Sequence, residues 1–128
     1  MYDSLPKNER KISVNIEGED TGYQYTGDFT VKCSLTILEK QALELEKTRL
    51  LADYSNPTPG LLGIAFTLSS LRAKIVKGPD WWKESNYGAQ LRDENVFGVL
   101  MDELGKAEKE WREEIKKKAL EAKQESGN

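Results

Sequence analysis

Histidine is absent from this chain, and cysteine occurs once, at position 33. The first absence removes the commonest general base and the commonest metal ligand. The second excludes an intramolecular disulfide and leaves Cys33 as the one soft ligand, so a structural zinc site is not expected. No cofactor or metal is expected. Long apolar runs are also missing: the longest, Leu61 to Phe66, is interrupted by Gly63 and falls far short of the roughly 20 residues that span a bilayer. The N-terminal Met-Tyr-Asp-Ser-Leu-Pro-Lys holds no apolar signal-peptide core. No glycine-rich stretch is followed by Lys-Ser or Lys-Thr, so a phosphate-cradling loop is excluded. Basic excess is lacking too, with 19 Lys and Arg against 22 Asp and Glu, which argues against a duplex nucleic-acid binder. These absences point to a soluble, cytoplasmic protein without a membrane segment.

What is present is one domain's worth of chain, 128 residues with 38% hydrophobic and 32% charged side chains. The first ten residues are polar and read as a flexible arm. From Lys11 the pattern alternates: Ile12, Val14 and Ile16 share one parity, as in a half-buried strand. Gly18-Glu19-Asp20-Thr21-Gly22 reads as a turn. Tyr23, Tyr25, Phe29, Val31, Cys33 and Leu35 then fall on one face of a second strand, with Gly27-Asp28 marking a bulge or bend. The two strands form an antiparallel hairpin over residues 11–35, which is marginal unless helices or other strands cover it.

Thr36-Ile37-Leu38-Glu39 has the spacing of a capping box and predicts a helix over about 37–54. That helix has two apolar stripes, one through Leu38, Ala42, Leu45 and Ala52, the other through Leu43, Leu50, Leu51 and Tyr54. Two stripes exceed what an amphipathic surface helix needs. After a Pro-rich loop, Leu61, Ile64, Leu68, Leu71 and Ile75 predict a helix over about 61–77, stopped by Lys77-Gly78-Pro79. A short helical turn fits Asp80 to Glu84. Asp93 reads as the cap of a long helix over about 94–122, with Val96, Phe97, Leu100, Leu104, Ala107, Trp111 and Ile115 on its core face. Glu113–Lys117 and Glu114–Lys118 are spaced to pair along that helix. Residues 123–128 read as a disordered tail. The fold class is therefore α+β: an N-terminal antiparallel hairpin, then a three-helix, mainly α bundle with a long C-terminal helix, all within residues 11–122.

No constellation of catalytic residues stands out. Cys33 lies on the apolar face of a strand with no histidine to activate it, so it reads as a buried core residue. Among the carboxylates only Asp80, Glu84 and Asp93 sit in a segment resembling a pocket loop, and Asp93 is assigned to a cap. A non-enzyme is expected. Gly98 and Gly105, seven apart on one side of the last helix, each cost about 1 kcal/mol against alanine, and so predict close packing of another helix. Lys116-Lys117-Lys118 reads as a solvated face. Trp81-Trp82 is the most unusual pair: two rings in sequence cannot point the same way, and tryptophan is enriched in interfaces. Trp81, Trp82, Tyr87, Leu43, Leu50 and Tyr54 are the expected partner-binding residues.

From Gly27-Asp28-Phe29-Thr30-Val31-Lys32 through Leu35-Thr36, two leucine-rich helices, Pro79-Asp80-Trp81-Trp82, Gly88, Leu91, Asp93, Asn95-Val96 and Ala107-Glu108 to Trp111, the layout resembles tailed-bacteriophage structural-module proteins of the tail-assembly-chaperone kind. The similarity covers about residues 26–112. It implies a non-catalytic assembly factor or virion component. Such a protein binds a phage structural protein or itself, as a homo-oligomer, in the host cytoplasm during assembly or in the virion. The rival from the residues alone is a small single-stranded nucleic-acid-binding protein, stacking bases on Tyr23, Tyr25 and Phe29 beside Lys11 and Lys32.

Overall fold

A computed structural model describes residues 5–126. Residues 1–4 of the expected arm and residues 127–128 of the expected tail lie outside the described residues. The element order is β1 (Glu9–Glu17), β2 (Gln24–Lys32), α1 (Ile37–Leu51), α2 (Pro59–Lys74), β3 (Ile75–Lys77), α3 (Asp80–Glu84) and α4 (Asn95–Ser126). The α+β class is as the sequence predicts.

The alternating pattern folds as it should. β1 and β2 pair antiparallel in continuous register, with Ile12 opposite Phe29, Val14 opposite Gly27 and Ile16 opposite Tyr25. This parity faces inward: Ile12, Val14, Ile16, Tyr25, Phe29, Val31 and Cys33 are all buried. α4 covers them with Val96, Leu100, Leu104 and Ala107. Burying each large side chain of this set stabilises the fold by roughly 1.5–3 kcal/mol.

Several details differ from the sequence expectation. Gly27 is no bulge, because the β1–β2 register runs straight through it. It has φ 151°, and a Cβ there would come within 2.7 Å of the Pro79 ring, so glycine admits the chain that returns before α3. α2 ends at Lys74, three residues earlier than the periodicity predicts, because Ile75–Lys77 pairs with β2 as a third strand. The irregularity in the sheet falls at this junction, between Thr30 and Val31. The arm is docked from Pro6 onward: Pro6 is buried, its carbonyl accepts from Trp111 Nε1 at 3.3 Å, and Asn8 exchanges hydrogen bonds with Ser34. α4 extends through residues 123–126, expected as tail. Its surface pairs also differ: Glu114 binds Arg10 of β1, and the i,i+4 pairs Glu113–Lys117 and Glu114–Lys118 are not formed among the described residues.

Asp93 does not cap α4 with its side chain. It is fully buried, and its carboxylate accepts from the backbone N–H groups of Asp20 (2.7 Å) and Thr21 (2.9 Å), from Thr21 Oγ1 (2.5 Å) and from the Tyr25 hydroxyl (2.5 Å). Those bonds, the Thr21 hydroxyl first and the Tyr25 hydroxyl next, hold its pKa down at about 2. Gly18 is buried against this carboxylate, which occupies the space a Cβ would need. One ionised side chain thus locks the hairpin turn onto the start of α4.

Candidate functional site

The helical hairpin formed by α1 and α2 is built differently from the sheet. α1 is stabilised locally. Thr36 Oγ1 accepts from Glu39 N–H at 3.1 Å while Glu39 accepts from Thr36 N–H at 2.9 Å, completing the capping box. Glu39 also binds Lys32 of β2, and that cation, with the Thr36 N–H second, lowers its pKa to about 2. Along the helix, Glu44 pairs with Lys47 and Glu46 with Arg49. α2 starts with Thr58 accepting from Leu61 N–H at 3.2 Å and Pro59 in the first turn.

α1 packs chiefly on α2, which in turn meets α4 and β3. Its two stripes have separate fates. Leu43, Leu50 and Leu51 are half-buried, with Leu43 beside Ser69 and Ala73 of α2, and Tyr54 is exposed, whereas Leu38, Ala42, Leu45 and Ala52 are all exposed. No residue of α1 is fully buried. Leu38 is 75% and Leu45 64% exposed, and Ile37 before them is 84% exposed. Leu62, Ile64 and Phe66 of α2 are also exposed. Below α1 an apolar groove of about 800 Å³ is lined by Leu5, Pro6, Leu35, Ile37, Leu38 and Trp111. Through Ser34, Leu35 and Trp111 it joins a second hollow of about 480 Å³ that reaches Leu43 and Phe66.

One charged cluster fixes the hairpin to the body. Arg72 of α2 donates to Glu46 Oε1 at 2.5 Å, to the Asn86 carbonyl at 2.8 Å and to the Tyr87 carbonyl at 3.2 Å. Arg49 and then Arg72 hold the Glu46 carboxyl at about 2. Asn86 and Tyr87 both have φ near 54°, an uncommon backbone for residues with side chains, and Arg72 grips both carbonyls. Neither Arg72 nor Glu46 is prominent in the sequence, where both look like ordinary helix-surface charges.

The six expected partner-binding residues are not one patch. Trp82 is 3% exposed, with its ring against Phe29 and Gly88; it belongs to the core and cannot meet a partner without unfolding. Trp81 is half-buried, edge-on to Tyr25 and Phe29, with Nε1 donating to the Thr26 carbonyl at 3.0 Å. Tyr87 and Tyr54 are exposed, while Leu43 and Leu50 are half-used by the α1–α2 contact. The signal that marks the open surface is the other stripe of α1, through Leu38 and Leu45. The aromatic platform of the nucleic-acid alternative is not displayed: Tyr25 and Phe29 are buried, leaving Tyr23 alone exposed.

Gly98 and Gly105 are not packed against another helix of this chain; both are exposed, and a Cβ on either would touch nothing within 4 Å. Cys33 is buried, its thiol 3.6 Å from the Ala107 carbonyl, and burial raises its pKa, which keeps it a thiol. Among the described residues no three His, Cys, Asp or Glu side chains gather as metal ligands, and no helix is long and apolar enough to cross a membrane. No protein-family model, curated protein or solved structure matches the chain.

Proposed function

We propose that this protein is a non-catalytic assembly factor that binds other chains through the outward apolar face of α1 and the adjoining face of α2. The observation that carries this is the open α1 stripe: Leu38 and Leu45 are 75% and 64% exposed on a helix that capping and ion pairs keep formed. Exposed leucines on one side of a helix, beside an apolar groove lined by Leu35, Leu38 and Trp111, form a surface that a partner chain can cover. The resemblance to phage tail-assembly-chaperone proteins fits this reading. It points to a phage structural protein or a second copy as the partner, in the host cytoplasm during assembly or in the virion.

The test is a holding assay with a chemically reduced, unfolded test protein whose aggregation is followed by light scattering. The wild-type chain is expected to suppress scattering, and Leu38→Ser/Leu45→Ser to lose that effect while far-UV circular dichroism stays unchanged. Equal suppression by the two proteins, or none by either, would contradict the proposal.

A further inference from the structure

The hollow of about 480 Å³ between α1, α2 and α4 holds groups that the fold does not use. Ser70 of α2 lines it and is 3% exposed, yet its hydroxyl has no hydrogen-bond partner among the described residues. That hydroxyl opens onto the hollow rather than being sealed in the core. A polar group this deep is normally bonded, to protein, water or a ligand. The adjacent Ser69 shows the usual solution, donating to the Phe66 carbonyl at 3.1 Å. Five charged side chains line the hollow: Lys40, Glu44, Lys74, Glu108 and Arg112. Lys74 binds Glu108 at 2.9 Å, and Glu44 binds Lys47 at 2.9 Å. Both carboxylates are thus taken, and Lys40 and Arg112 are left without an ion pair among the described residues. Leu43, Phe66 and Trp111 supply the apolar wall. Through Leu35 and Trp111 the hollow runs into the groove of about 800 Å³ below α1, whose lining carries no charged side chain.

We propose that this trench takes an apolar segment of the bound chain that carries acidic side chains at one end. The uncharged groove holds the apolar residues, Lys40 and Arg112 pair with the carboxylates, and the Ser70 hydroxyl donates to the segment inside the hollow. This rests on the reading that the protein binds other chains, and names the chemistry of what it binds. Charge complementarity selects the occupant. Covering Lys40 and Arg112 beside Leu43, Phe66 and Trp111 strips water from two cations, and a carboxylate offsets that cost where an amide or an ammonium does not. A small inorganic anion would meet the cations but leave the larger apolar groove empty.

Fluorescence anisotropy with the full chain at about 50 mM salt tests it. The probes are labelled, amide-capped peptides in which a run of leucines is followed by a pair of glutamates, glutamines or lysines. The glutamate peptide should bind at least about tenfold tighter than the glutamine peptide, and about 500 mM salt should remove most of that difference. Lys40→Glu/Arg112→Glu should reverse the order and favour the lysine peptide. The milder Lys40→Gln/Arg112→Gln should level glutamate with glutamine. Ser70→Ala should weaken the glutamate peptide about threefold or more without lowering the urea midpoint, because nothing inside the chain uses that hydroxyl. Circular dichroism checks that each variant is folded. No binding at about 100 µM, a preference unmoved in the folded charge variants, or Ser70→Ala binding like wild type overturns the inference. A wild-type dimer dispersed by Lys40→Glu/Arg112→Glu in sedimentation puts a second copy in the hollow and also overturns it. If the wild type holds the unfolded test protein but binds the three peptides alike, this inference falls and the proposed function stands. If it selects the glutamate peptide but does not hold the test protein, the trench stands and the proposed function falls.

Discussion

The sheet with the first half of α4, and the α1–α2 hairpin, satisfy the same chemistry in opposite ways. In the first region Phe29, Val31, Val96 and Leu100 are fully buried, and the apolar pattern is consumed by the fold. In the second, α1 buries no residue completely and turns a row of leucines to solvent. Its helix stands on a capping box, short-range ion pairs and the Arg72 staple. A helix held by local and polar interactions is free to offer its apolar stripe elsewhere; a sheet held by burial is not.

The contrast is sharpest in large-to-small substitutions. Leu100→Ala should cost about 2–5 kcal/mol in urea unfolding, as fully buried leucines do. Leu45→Ala should stay within about 0.5 kcal/mol. Comparable losses at the two sites would erase the distinction between the regions.

Asp93→Asn should give the next largest fall in the urea midpoint, because it weakens the lock between the hairpin turn and α4. Its pH dependence has a definite sign. The folded pKa of about 2 lies below the ordinary 3.8, so the stabilisation is complete above about pH 5 and is lost as pH falls from about 4 toward 2. Urea midpoints measured from pH 7 to pH 2 should therefore converge for wild type and Asp93→Asn at the acid end. A gap that stays constant across that range would show that ionisation of Asp93 is not what stabilises.

Thr36→Ala should cost about 1 kcal/mol, the usual worth of a side-chain cap. The loss should appear as faster amide exchange in α1, with the sheet unchanged. Uniformly faster exchange would mean that the hairpin and the sheet unfold as one unit. Leu38→Ser/Leu45→Ser should have the smallest effect on stability and the largest on partner holding.

The residue pattern announced much of this architecture. Parity alone identified the inward face of β1 and β2, and Thr36 with Glu39 marked the start of α1. The doubled stripe of α1 also held the candidate surface, although the six residues chosen from sequence favoured the stripe that α2 partly covers. What stayed hidden depends on distant partners. Ile75 continues the helical spacing of Leu71, yet pairing with Val31 of β2 turns Ile75 into strand. Asp93 looks like a cap, but the donors that claim it lie in a turn some 70 residues earlier. Which of Trp81 and Trp82 is buried follows from the packing of α3 on Phe29, which no local pattern encodes.

The central claim is that the α1 stripe is open because another chain covers it. Amide hydrogen exchange of the wild-type chain, with the unfolded test protein held in solution and without it, addresses that directly. Slowing concentrated in α1 and the first half of α2, with the sheet unchanged, is the predicted result. Slowing confined to the sheet or α4, with α1 exchanging as it does in the free protein, would contradict the claim.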